Sequence, residues 1–305
     1  MSRPRVVVVG SSNTDMVIKS ESLPRPGETV TGGEFFMAAG GKGANQAVAA
    51  VRAGAEVTFI ARIGNDMFGQ KALENFKKEG INTDFIVMDN QTPSGIALIF
   101  IDARGENIIS VAPGSNARLS PEDVERGERA ISRADVVLME LEIMVETVER
   151  AVEMARVAGC KVILNPAPGR KLSPSLLSKI DFLTPNESET SILTGLPMDS
   201  SEAARAAGGK LLDLGVGAVV MTLGKKGALI IADSLTHIPA KKVNPVDTVG
   251  AGDAFNGALA VALAEGRELK EGVEFAVSAG AIACTRYGAQ PSMPERREID
   301  EMMHI

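Results

Sequence analysis

The residues best suited to chemistry occupy the run from Gly250 to Asp253, at the start of a predicted apolar helix over residues 251–265. The first turn of a helix presents unpaired N–H groups with partial positive charge, and the small residues Gly250, Ala251 and Gly252 let an anion approach them. Asp253 lies in the same turn and could accept the proton of a hydroxyl that attacks a phosphoryl group. An ordinary helix cap explains an acid here equally well, so this run alone leaves two interpretations.

Two further sets of polar residues could bind the hydroxyl groups of a sugar. Gly41 and Lys42 open a second small-residue helix, and Lys42 shares a helix face with Asn45 because the two are three positions apart. Asn13 and Asp15 follow the first predicted strand at alternate positions, where Asp can accept hydrogen bonds and Asn can both donate and accept them. A plain helix cap and ordinary turn chemistry remain open as explanations of these two sets.

The elements that must position these residues alternate between short β-branched runs and helical patterns. This alternation indicates an α/β fold with a doubly wound, mainly parallel sheet flanked by helices, which binds ligands beyond the carboxyl ends of its strands. Strands are predicted at residues 5–9, 57–63, 136–141, 162–164, 182–184 and 219–223, and helices at residues 43–53, 68–79, 145–158, 202–214, 251–265 and 272–285. Ser120 and Pro121 predict the start of one more helix.

Two segments, residues 14–37 and 95–111, show β-type alternation with no helix after them. In the second segment the apolar residues from Ile96 to Ile101 occupy both alternating faces. This pattern favours a small β-sheet lid over a pocket, inserted into a single domain of residues 1–305, that also meets another surface. An extension of the main sheet is the alternative.

Composition and charge exclude several function classes. The net charge of −7 disfavours nonspecific binding to nucleic acid or to an acidic membrane surface. Cys160 and Cys284 form neither a metal pattern nor a disulfide framework, and His237 and His304 lie outside any triad or zinc motif, so a carboxylate or a lysine is the expected base. No signal peptide and no apolar run of the roughly 20 residues that span a bilayer is recognised, which predicts a cytoplasmic protein.

Two common nucleotide fingerprints are missing. Gly43 follows Lys42 where a P-loop needs Ser or Thr, and the run Gly-Ser-Ser-Asn after the first strand lacks the second glycine of the dinucleotide fold. A hydride-transfer enzyme on this fold is therefore disfavoured.

Longer motifs recur along the whole chain. They are Gly-Ser-Ser-Asn-Thr-Asp at 10–15, Pro-Arg-Pro-Gly-Glu-Thr at 24–29, Gly-Gly-Lys-Gly-Ala-Asn-Gln-Ala at 40–47, Asn-Pro-Ala-Pro at 165–168, Thr-Pro-Asn-Glu-Ser-Glu at 184–189, Thr-Leu-Gly-Lys-Lys-Gly at 222–227, Gly-Ala-Gly-Asp at 250–253 and Tyr-Gly-Ala-Gln-Pro-Ser at 287–292. In this order they resemble the motifs of the ribokinase-like (PfkB) carbohydrate kinase family.

The resemblance implies ATP-dependent phosphorylation of D-ribose at its 5-hydroxyl, with Mg²⁺ beside the nucleotide and a monovalent cation, usually K⁺, as activator. It also implies a β-sheet lid that closes over the sugar and forms the interface of a homodimer. Asp253 then matches the catalytic base, and the residues that match the anion hole are Gly250, Ala251 and Gly252. The positions that match ribose ligands are Asn13, Asp15, Gly41, Lys42, Asn45, Glu142 and Asp253, with Glu140 as an alternative to Glu142.

The same resemblance assigns the nucleotide and the cations. Asn186 and Glu189 match the motif that organises magnesium and phosphates. The nucleotide-binding positions are Thr222, Leu223, Gly224, Lys225, Lys226 and Gly227, together with Gly252 and Asp253. The monovalent-cation positions, mostly backbone carbonyls, are Asp247, Val249, Ala283, Arg286, Gly288 and Ser292.

Three alternatives remain at this level. The substrate could be 2-deoxyribose or a nucleoside, and the chain could be a non-catalytic sugar-sensing module. Such a module should have lost the base or the anion-hole glycines, and all of them are present here. Val277 departs from the family pattern, because relatives often carry a polar residue there near the adenine. The nucleotide preference is therefore less sharply defined than the sugar chemistry.

Overall fold

A sheet of nine strands lies at the centre of the molecule. The computed structural model describes residues 3–304. Within that range the strands are β1 (Arg5–Val9), β2 (Asn13–Lys19), β3 (Glu34–Gly40), β4 (Glu56–Gly64), β5 (Ile86–Asp89), β6 (Gly95–Ile101), β7 (Asn107–Ala112), β8 (Val136–Met139), β9 (Lys161–Leu164), β10 (Phe182–Leu183), β11 (Ala218–Thr222), β12 (Ala228–Ile231) and β13 (Leu235–Ile238). The α-helices in the same range are α1 (Lys42–Arg52), α2 (Met67–Lys78), α3 (Pro121–Arg126), α4 (Glu128–Ile131), α5 (Val145–Ala158), α6 (Pro174–Leu177), α7 (Glu187–Thr194), α8 (Ser201–Asp213), α9 (Ala251–Ala264), α10 (Leu269–Ala283) and α11 (Arg296–Met303).

The large sheet has the strand order β13-β12-β11-β10-β9-β8-β1-β4-β5 and is parallel from β11 to β5. The fold class predicted from the β/α alternation is confirmed. The antiparallel hairpin β12–β13 and the edge strand β5 are additions that the alternation does not predict. Each of these strands has only four residues, and no helix separates the two strands of the hairpin.

Helices cover both faces of this sheet, and strand β1 illustrates why. Successive side chains of a strand point to opposite faces. Val6 and Val8 pack in the core that includes α1, α9 and α10, whereas Val7 and Val9 pack in the core that includes α5 and α8. A strand buried on both sides reads as a continuous apolar run, which is the pattern of residues 6–9. Within residues 3–304, every helix is too short or too polar to cross a bilayer.

The start of α3 follows the predicted cap chemistry. The Ser120 hydroxyl accepts a hydrogen bond from the backbone N–H of Asp123, and the Asp123 side chain accepts one from the backbone N–H of Ser120. Pro121 occupies the first helical position, where no N–H is needed. The other predicted helices have observed ends that lie within three residues of the expected ones, a normal uncertainty for helix termini.

Four strands form a second, smaller sheet in the order β3-β2-β6-β7. This small sheet is separate from the large one, so an extension of the main sheet is the wrong alternative. Val17 pairs with Phe36 and with Ile99, and Ile99 pairs with Ile109, which gives an apolar row across all four strands. Because alternate residues share a face, this row lies on the face that carries Asp15.

The opposite face of the small sheet is also apolar. Met16 and Ile18 of β2 lie on it, with their paired neighbours on either side. Exposed fractions there are 59% for Phe35, 41% for Leu98 and 51% for Ile108. The two-sided apolar pattern of the sequence is therefore a property of the folded sheet.

Helices α1 and α9 pack at very close range, and Gly257 makes this possible. A Cβ atom on Gly257 would lie 2.5 Å from the Cβ of Ala49 and 2.7 Å from the carbonyl oxygen of Gln46. We expect Gly257→Ala to lower the free energy of unfolding by about 1–3 kcal/mol, because the two helices must separate. Urea unfolding followed by circular dichroism measures the change.

Gly209→Ala, in the interior of α8, is the matched control. A Cβ there would meet no atom of residues 3–304 within 4 Å, so the substitution should stabilise the helix by about 0.5–1 kcal/mol. Equal effects of the two substitutions would contradict the close packing of α1 on α9.

Candidate functional site

Polar side chains converge where the strand order of the large sheet reverses. Strand β1 pairs with β4 on one side and with β8 on the other. The strand that follows β4 lies toward one edge of the sheet, and the strands that follow β8 lie toward the opposite edge. Such a switch point leaves a crevice beyond the carboxyl ends of the two central strands. The residues after β1, the residues after β8 and the first turns of α1 and α9 meet in this crevice.

Two glutamates after β8 have different tasks. Glu140 is fully buried, and its two carboxylate oxygens accept hydrogen bonds from the backbone N–H groups of Ser11 (2.6 Å) and Glu142 (2.5 Å). Burial, followed by the charge of Glu142, raises the pKa of Glu140. Glu142 is half-buried and accepts from the Ser11 hydroxyl (2.6 Å), from the backbone N–H of Lys42 (3.1 Å) and from the Asn13 side chain (3.4 Å). Of the two alternatives, Glu142 is therefore the one that faces the crevice.

Asp253, in the first turn of α9, is held by two amides of α1. Its Oδ2 accepts from Asn45 Nδ2 at 2.9 Å and its Oδ1 accepts from Gln46 Nε2 at 3.0 Å. The residue is only 8% exposed, and burial raises the pKa of its carboxyl group. Lys42, Asn45 and Gln46 act in the opposite direction and lower that pKa. A carboxylate held on both oxygens keeps a fixed orientation and still has lone pairs for a proton.

The start of α9 is open in front of Asp253. Gly250 has a φ of 78°, a left-handed conformation, and a Cβ there would lie 2.9 Å from the Cα of Ala289. Gly252 is exposed, and a Cβ on it would meet no atom of the described residues within 4 Å. Packing therefore explains the glycine at 250 but not the one at 252. The free space beside Gly252 lies at the positive end of the helix dipole, where an anion is favoured.

A lysine and an aspartate complete the crevice. Lys42 is the first residue of α1, and although burial would lower its pKa, the nearby carboxylates led by Asp253 and Glu142 raise it. Burial, then Glu142 and Asp253, raise the pKa of Asp15 to about 6. A Cβ on Gly40, the residue before Gly41, would collide with the carboxylate of Asp15, so a larger residue there would displace this side chain.

Gly41 completes this group as the residue that turns the chain from β3 into α1. It has a φ of 89°, and a Cβ on it would lie 2.6 Å from the backbone nitrogen of Asn13. The structure thus brings the seven predicted sugar ligands into one crevice: Asn13, Asp15, Gly41, Lys42, Asn45, Glu142 and Asp253.

The predicted nucleotide residues lie at the next strand ends of the same edge. Asn186 and Glu189 form the capping box of α7, because the Asn186 side chain accepts from the backbone of Glu189 and the Glu189 side chain accepts from the backbone of Asn186. Burial raises the pKa of Glu189, while the charge of Lys42 lowers it and that of Asp253 raises it, so this helix start borders the crevice. Asn186 forms a β-bridge with Thr222.

The loop after β11 turns through a short 3₁₀ segment. Gly224 and Gly227 have φ values of 54° and 97°, and a Cβ on Gly227 would lie 2.0 Å from the carbonyl oxygen of Ile238. The predicted nucleotide loop exposes Gly224, Lys225 and Lys226, whereas Thr222 and Leu223 are half-buried and Gly227 is buried. Its residues are Thr222, Leu223, Gly224, Lys225, Lys226 and Gly227.

Asp247 joins the two loops that carry the predicted cation residues. Its Oδ1 accepts from the backbone N–H of Val249 (3.0 Å) and its Oδ2 from that of Gly288 (2.9 Å). The carbonyl oxygen of Cys284 accepts from the backbone N–H groups of Asp247 (3.2 Å) and of Val246 (2.7 Å). The contact of Gly250 with Ala289 connects these loops to the start of α9.

The remaining cation residues are held locally. The Ala283 carbonyl accepts from the backbone of Arg286 (3.2 Å), the Arg286 guanidinium pairs with Glu298, and the Ser292 hydroxyl donates to the carbonyl of Ala289 (2.7 Å). In the described part of the chain, no three His, Cys, Asp or Glu side chains are grouped so that they could hold a metal ion. A ligand set made mainly of backbone carbonyls does not depend on such a group.

Several contacts of the crevice have no counterpart in the sequence-based prediction. Gln46 touches Asp253 directly, and its signal was a polar residue among alanines on the buried side of a helix. The Asn116 side chain donates to Asn13 Oδ1 (2.8 Å) and to the carbonyl of Ser12 (3.1 Å) from a loop a hundred residues away. No local sequence pattern indicates these contacts of Asn116.

Comparisons with known proteins agree along the whole chain. Residues 3–296 match the family model described as "pfkB family carbohydrate kinase". A ribokinase of Haemophilus influenzae is 42% identical over 302 residues, which cover 99% of each chain. A deoxyribokinase of Salmonella typhimurium is 38% identical over 302 residues, which cover 98% of this chain and 99% of the relative.

Solved structures of the same kind superpose closely. A ribokinase of Arabidopsis thaliana, complexed with ribose and ATP, has a TM-score of 0.93 at 33% identity and is matched over 100% of both chains. A ribokinase of Thermotoga maritima has a TM-score of 0.90 at 37% identity over 100% of both chains.

The raised pKa of Asp15 predicts a stability effect that depends on pH. A carboxyl group with a raised folded-state pKa stabilises the protein below its unfolded pKa of 3.8, and this contribution is lost as the pH rises through about 6. Asp15→Asn should therefore raise the free energy of unfolding, relative to the unsubstituted protein, by on the order of 1–3 kcal/mol more at pH 8 than at pH 4.5. Urea unfolding at the two pH values measures this difference, with exposed Asp213→Asn as the control. The same difference at both pH values would contradict the burial of a charged Asp15.

Proposed function

Because the chain belongs to the pfkB family of carbohydrate kinases, we propose that it transfers the γ-phosphoryl group of ATP to the 5-hydroxyl of D-ribose. The products are D-ribose 5-phosphate and ADP. The observation that carries this proposal is the buried Asp253 carboxylate, held by Asn45 and Gln46 beside the open start of α9.

Asp253 is the proposed catalytic base. It takes the proton of the 5-hydroxyl while that oxygen forms a bond to the γ-phosphorus, and the bond to the bridging oxygen of ADP breaks. Burial brings the pKa of its carboxyl group upward, toward the range in which a general base works well. The two amides prevent the carboxylate from turning away from the hydroxyl.

The same crevice supplies ligands for the other hydroxyls of ribose. Asp15 and Glu142 are acceptors, Asn13 and Asn45 can both donate and accept, and Gly41 keeps the backbone close without a side chain. In the part of the chain that the structure describes, Asn45 Oδ1 is buried without a hydrogen-bond partner, which supports a donor from the sugar. Lys42 balances the negative charge of these carboxylates.

The start of α9 is the proposed anion hole. The backbone N–H groups of Gly250, Ala251 and Gly252 would stabilise the charge that develops on the γ-phosphoryl group. The empty space beside Gly252 supports this role, because a glycine that packing does not require leaves room for a phosphate. Lys42 is a second positive group on the sugar side of that space.

We assign the nucleotide and its Mg²⁺ to the neighbouring strand ends. The nucleotide would lie along the loop from Thr222 to Gly227, and Asn186 and Glu189 would hold the metal through water, since oxygen ligands and bound water suit Mg²⁺. The cation supplies charge neutralisation of the phosphates when it is bound. Exposed Lys225 and Lys226 suit an anionic ligand.

We assign a K⁺ ion to the two loops joined by Asp247. Its proposed ligands are oxygens of Asp247, Val249, Ala283, Arg286, Gly288 and Ser292. A set of backbone carbonyls with a single carboxylate carries little negative charge and suits a monovalent cation such as K⁺. Through the contact of Gly250 with Ala289, a filled site would steady the anion hole.

The organisation we propose is one domain of residues 1–305, with the small sheet as a lid and as the interface of a homodimer. Both faces of this sheet carry exposed apolar side chains, including Phe35, Leu98 and Ile108 on the face opposite Asp15. Exposed apolar patches of this kind mark interaction surfaces. We place the reaction in the cytoplasm, because it requires a supply of ATP.

A second candidate substrate is 2-deoxyribose. It is favoured by the similarity to a deoxyribokinase, at 38% identity over nearly the whole chain. Polar contacts from Asn13 and Asp15 favour a sugar that keeps its 2-hydroxyl, and one such contact discriminates by about 1–3 kcal/mol.

Asp253→Asn tests the base directly. The variant should bind ribose with nearly unchanged affinity in calorimetry, whereas kcat should fall by about 10²–10⁴-fold, because the amide cannot accept the proton. Asp213→Asn, the same chemical change at an exposed position of α8, should keep normal kinetics. Near-normal turnover of Asp253→Asn would remove the proposed base.

A coupled assay of ADP release over ribose, 2-deoxyribose, fructose and adenosine, with and without K⁺, tests the proposed substrate and the proposed activator. We expect kcat/KM for ribose to exceed that for 2-deoxyribose by about tenfold or more, and the rate to fall without K⁺. A preference for deoxyribose or adenosine would show that ribose is not the preferred substrate. Activity on none of the four compounds would favour a sugar-sensing module.

Leu98→Asp tests the dimer. Leu98 lies on a central strand of the small sheet and is 41% exposed, so a charge there should convert a dimer into a monomer in analytical ultracentrifugation. Val157→Asp is the matched control, because Val157 is 92% exposed on α5, outside the small sheet. Dimers of equal stability in both variants, or a monomeric unsubstituted protein, would contradict the proposed interface.

A further inference from the structure

A closed chain of hydrogen bonds connects Asp253 to the backbone of its own neighbour, Gly252. It starts at Gln46, whose Nε2 donates to Asp253 Oδ1 (3.0 Å) and to Asn165 Oδ1 (3.2 Å). Asn165 Nδ2 in turn donates to the carbonyl oxygen of Thr184 (3.0 Å).

The second half of the chain returns to α9. The hydroxyl of Thr184 donates to Asn256 Oδ1 (2.6 Å), and Asn256 Nδ2 donates to the carbonyl oxygen of Gly252 (2.8 Å). The peptide bond between Gly252 and Asp253 closes the circuit. We call these residues the ring: Gln46, Asn165, Thr184, Asn256, Gly252 and Asp253.

The ring lies almost entirely inside the protein. Gln46, Thr184 and Asn256 are each at most 1% exposed, and Asn165 is 8% exposed. Buried polar groups are tolerated when they are paired, and a paired buried network fixes one arrangement of its members. Its members come from four places: α1, the ends of β9 and β10, and α9.

The orientation of the Gln46 amide follows from its neighbours. Both hydrogens of Nε2 have acceptors, whereas Gln46 Oε1 is buried without a hydrogen-bond partner among residues 3–304. Rotation of the amide by half a turn would bring Oε1 against the oxygens of Asp253 and Asn165, which is repulsive. The Gln46 amide is therefore held in one orientation by two acceptors, at the expense of its own oxygen.

We propose that Gln46 is a positioning residue for phosphoryl transfer, which fixes the Asp253 carboxylate relative to the first turn of α9 through the ring. This inference rests on the proposed role of Asp253 as base. In this role Gln46 acts through Asp253 and needs no contact with nucleotide or sugar. Displacement of a reacting group by about 1 Å can lower a rate by about 10²-fold, so a rigid link between base and anion hole has a direct effect on turnover.

Gln46→Leu removes the donor and keeps a side chain of similar size. We expect kcat to fall by about 10- to 100-fold, with the dissociation constant for ribose changed by less than about threefold. The acid limb of the kcat–pH profile should move to higher pH, because the Gln46 hydrogen bond lowers the pKa of Asp253. The other charged groups around Asp253 are Lys42, Glu142, Asp15 and Glu189, and all remain in this variant.

Thr184→Val breaks the ring on the far side and is nearly isosteric. It should lower kcat by a smaller factor and leave the acid limb in place, because Asp253 keeps both of its own donors. Thr194→Val is the control, since Thr194 is also buried and hydrogen-bonded but lies outside the ring, and its kinetics should be normal.

The outcomes separate this inference from the proposed function. If Asp253→Asn is inactive while Gln46→Leu has normal kcat and an unmoved acid limb, the positioning role is overturned and the proposed base stands. If Asp253→Asn keeps normal turnover, both are overturned. If Gln46→Leu does not fold, Thr184→Val decides, and a kcat equal to that of the Thr194→Val control would overturn the ring as a positioning device.

Discussion

The structure depends on how one buried negative charge is kept in place. An ionised carboxylate away from water is strongly disfavoured unless it is paired or accepts hydrogen bonds. Asp253 meets this requirement with two amide donors from α1 and with the nearby charge of Lys42. Burial still raises its pKa, so the compensation is partial. A base must have this balance, because a fully compensated carboxylate would have little affinity for a proton.

The surrounding elements are arranged so that these groups can meet. Gly257 lets α1 approach α9 closely enough for Asn45 and Gln46 to reach Asp253, and Glu140 ties the end of β1 to the end of β8 from inside the protein. The result is a crevice with several carboxylates and one lysine. Ionisation of these carboxylates at high pH lowers the free energy of unfolding. The same groups are well suited to recognising a molecule rich in hydroxyl groups.

Much of this could be predicted from local sequence, and the remainder could not for physical reasons. Parallel strands that are buried on both faces have continuous apolar sequences, and glycines before an acid indicate an open helix start. Strand β1 and the helix start that carries Asp253 could therefore be predicted. Gln46 had only a weak signal, as one polar residue in a buried helix. The contacts of Asn116 and the inward orientation of Glu140 arise between segments about a hundred residues apart, which no local pattern records. The hairpin β12–β13 was not predicted, because two four-residue strands without a helix between them resemble loops in sequence.

A crystal structure of the protein with D-ribose and a non-hydrolysable ATP analogue would test the proposed role of Asp253 most directly. We expect the 5-hydroxyl oxygen to lie about 2.6–3.2 Å from the Asp253 carboxylate, with the γ-phosphoryl group beside Gly252. A sugar bound with its 5-hydroxyl turned away from Asp253, or a γ-phosphoryl group held anywhere other than the start of α9, would contradict it.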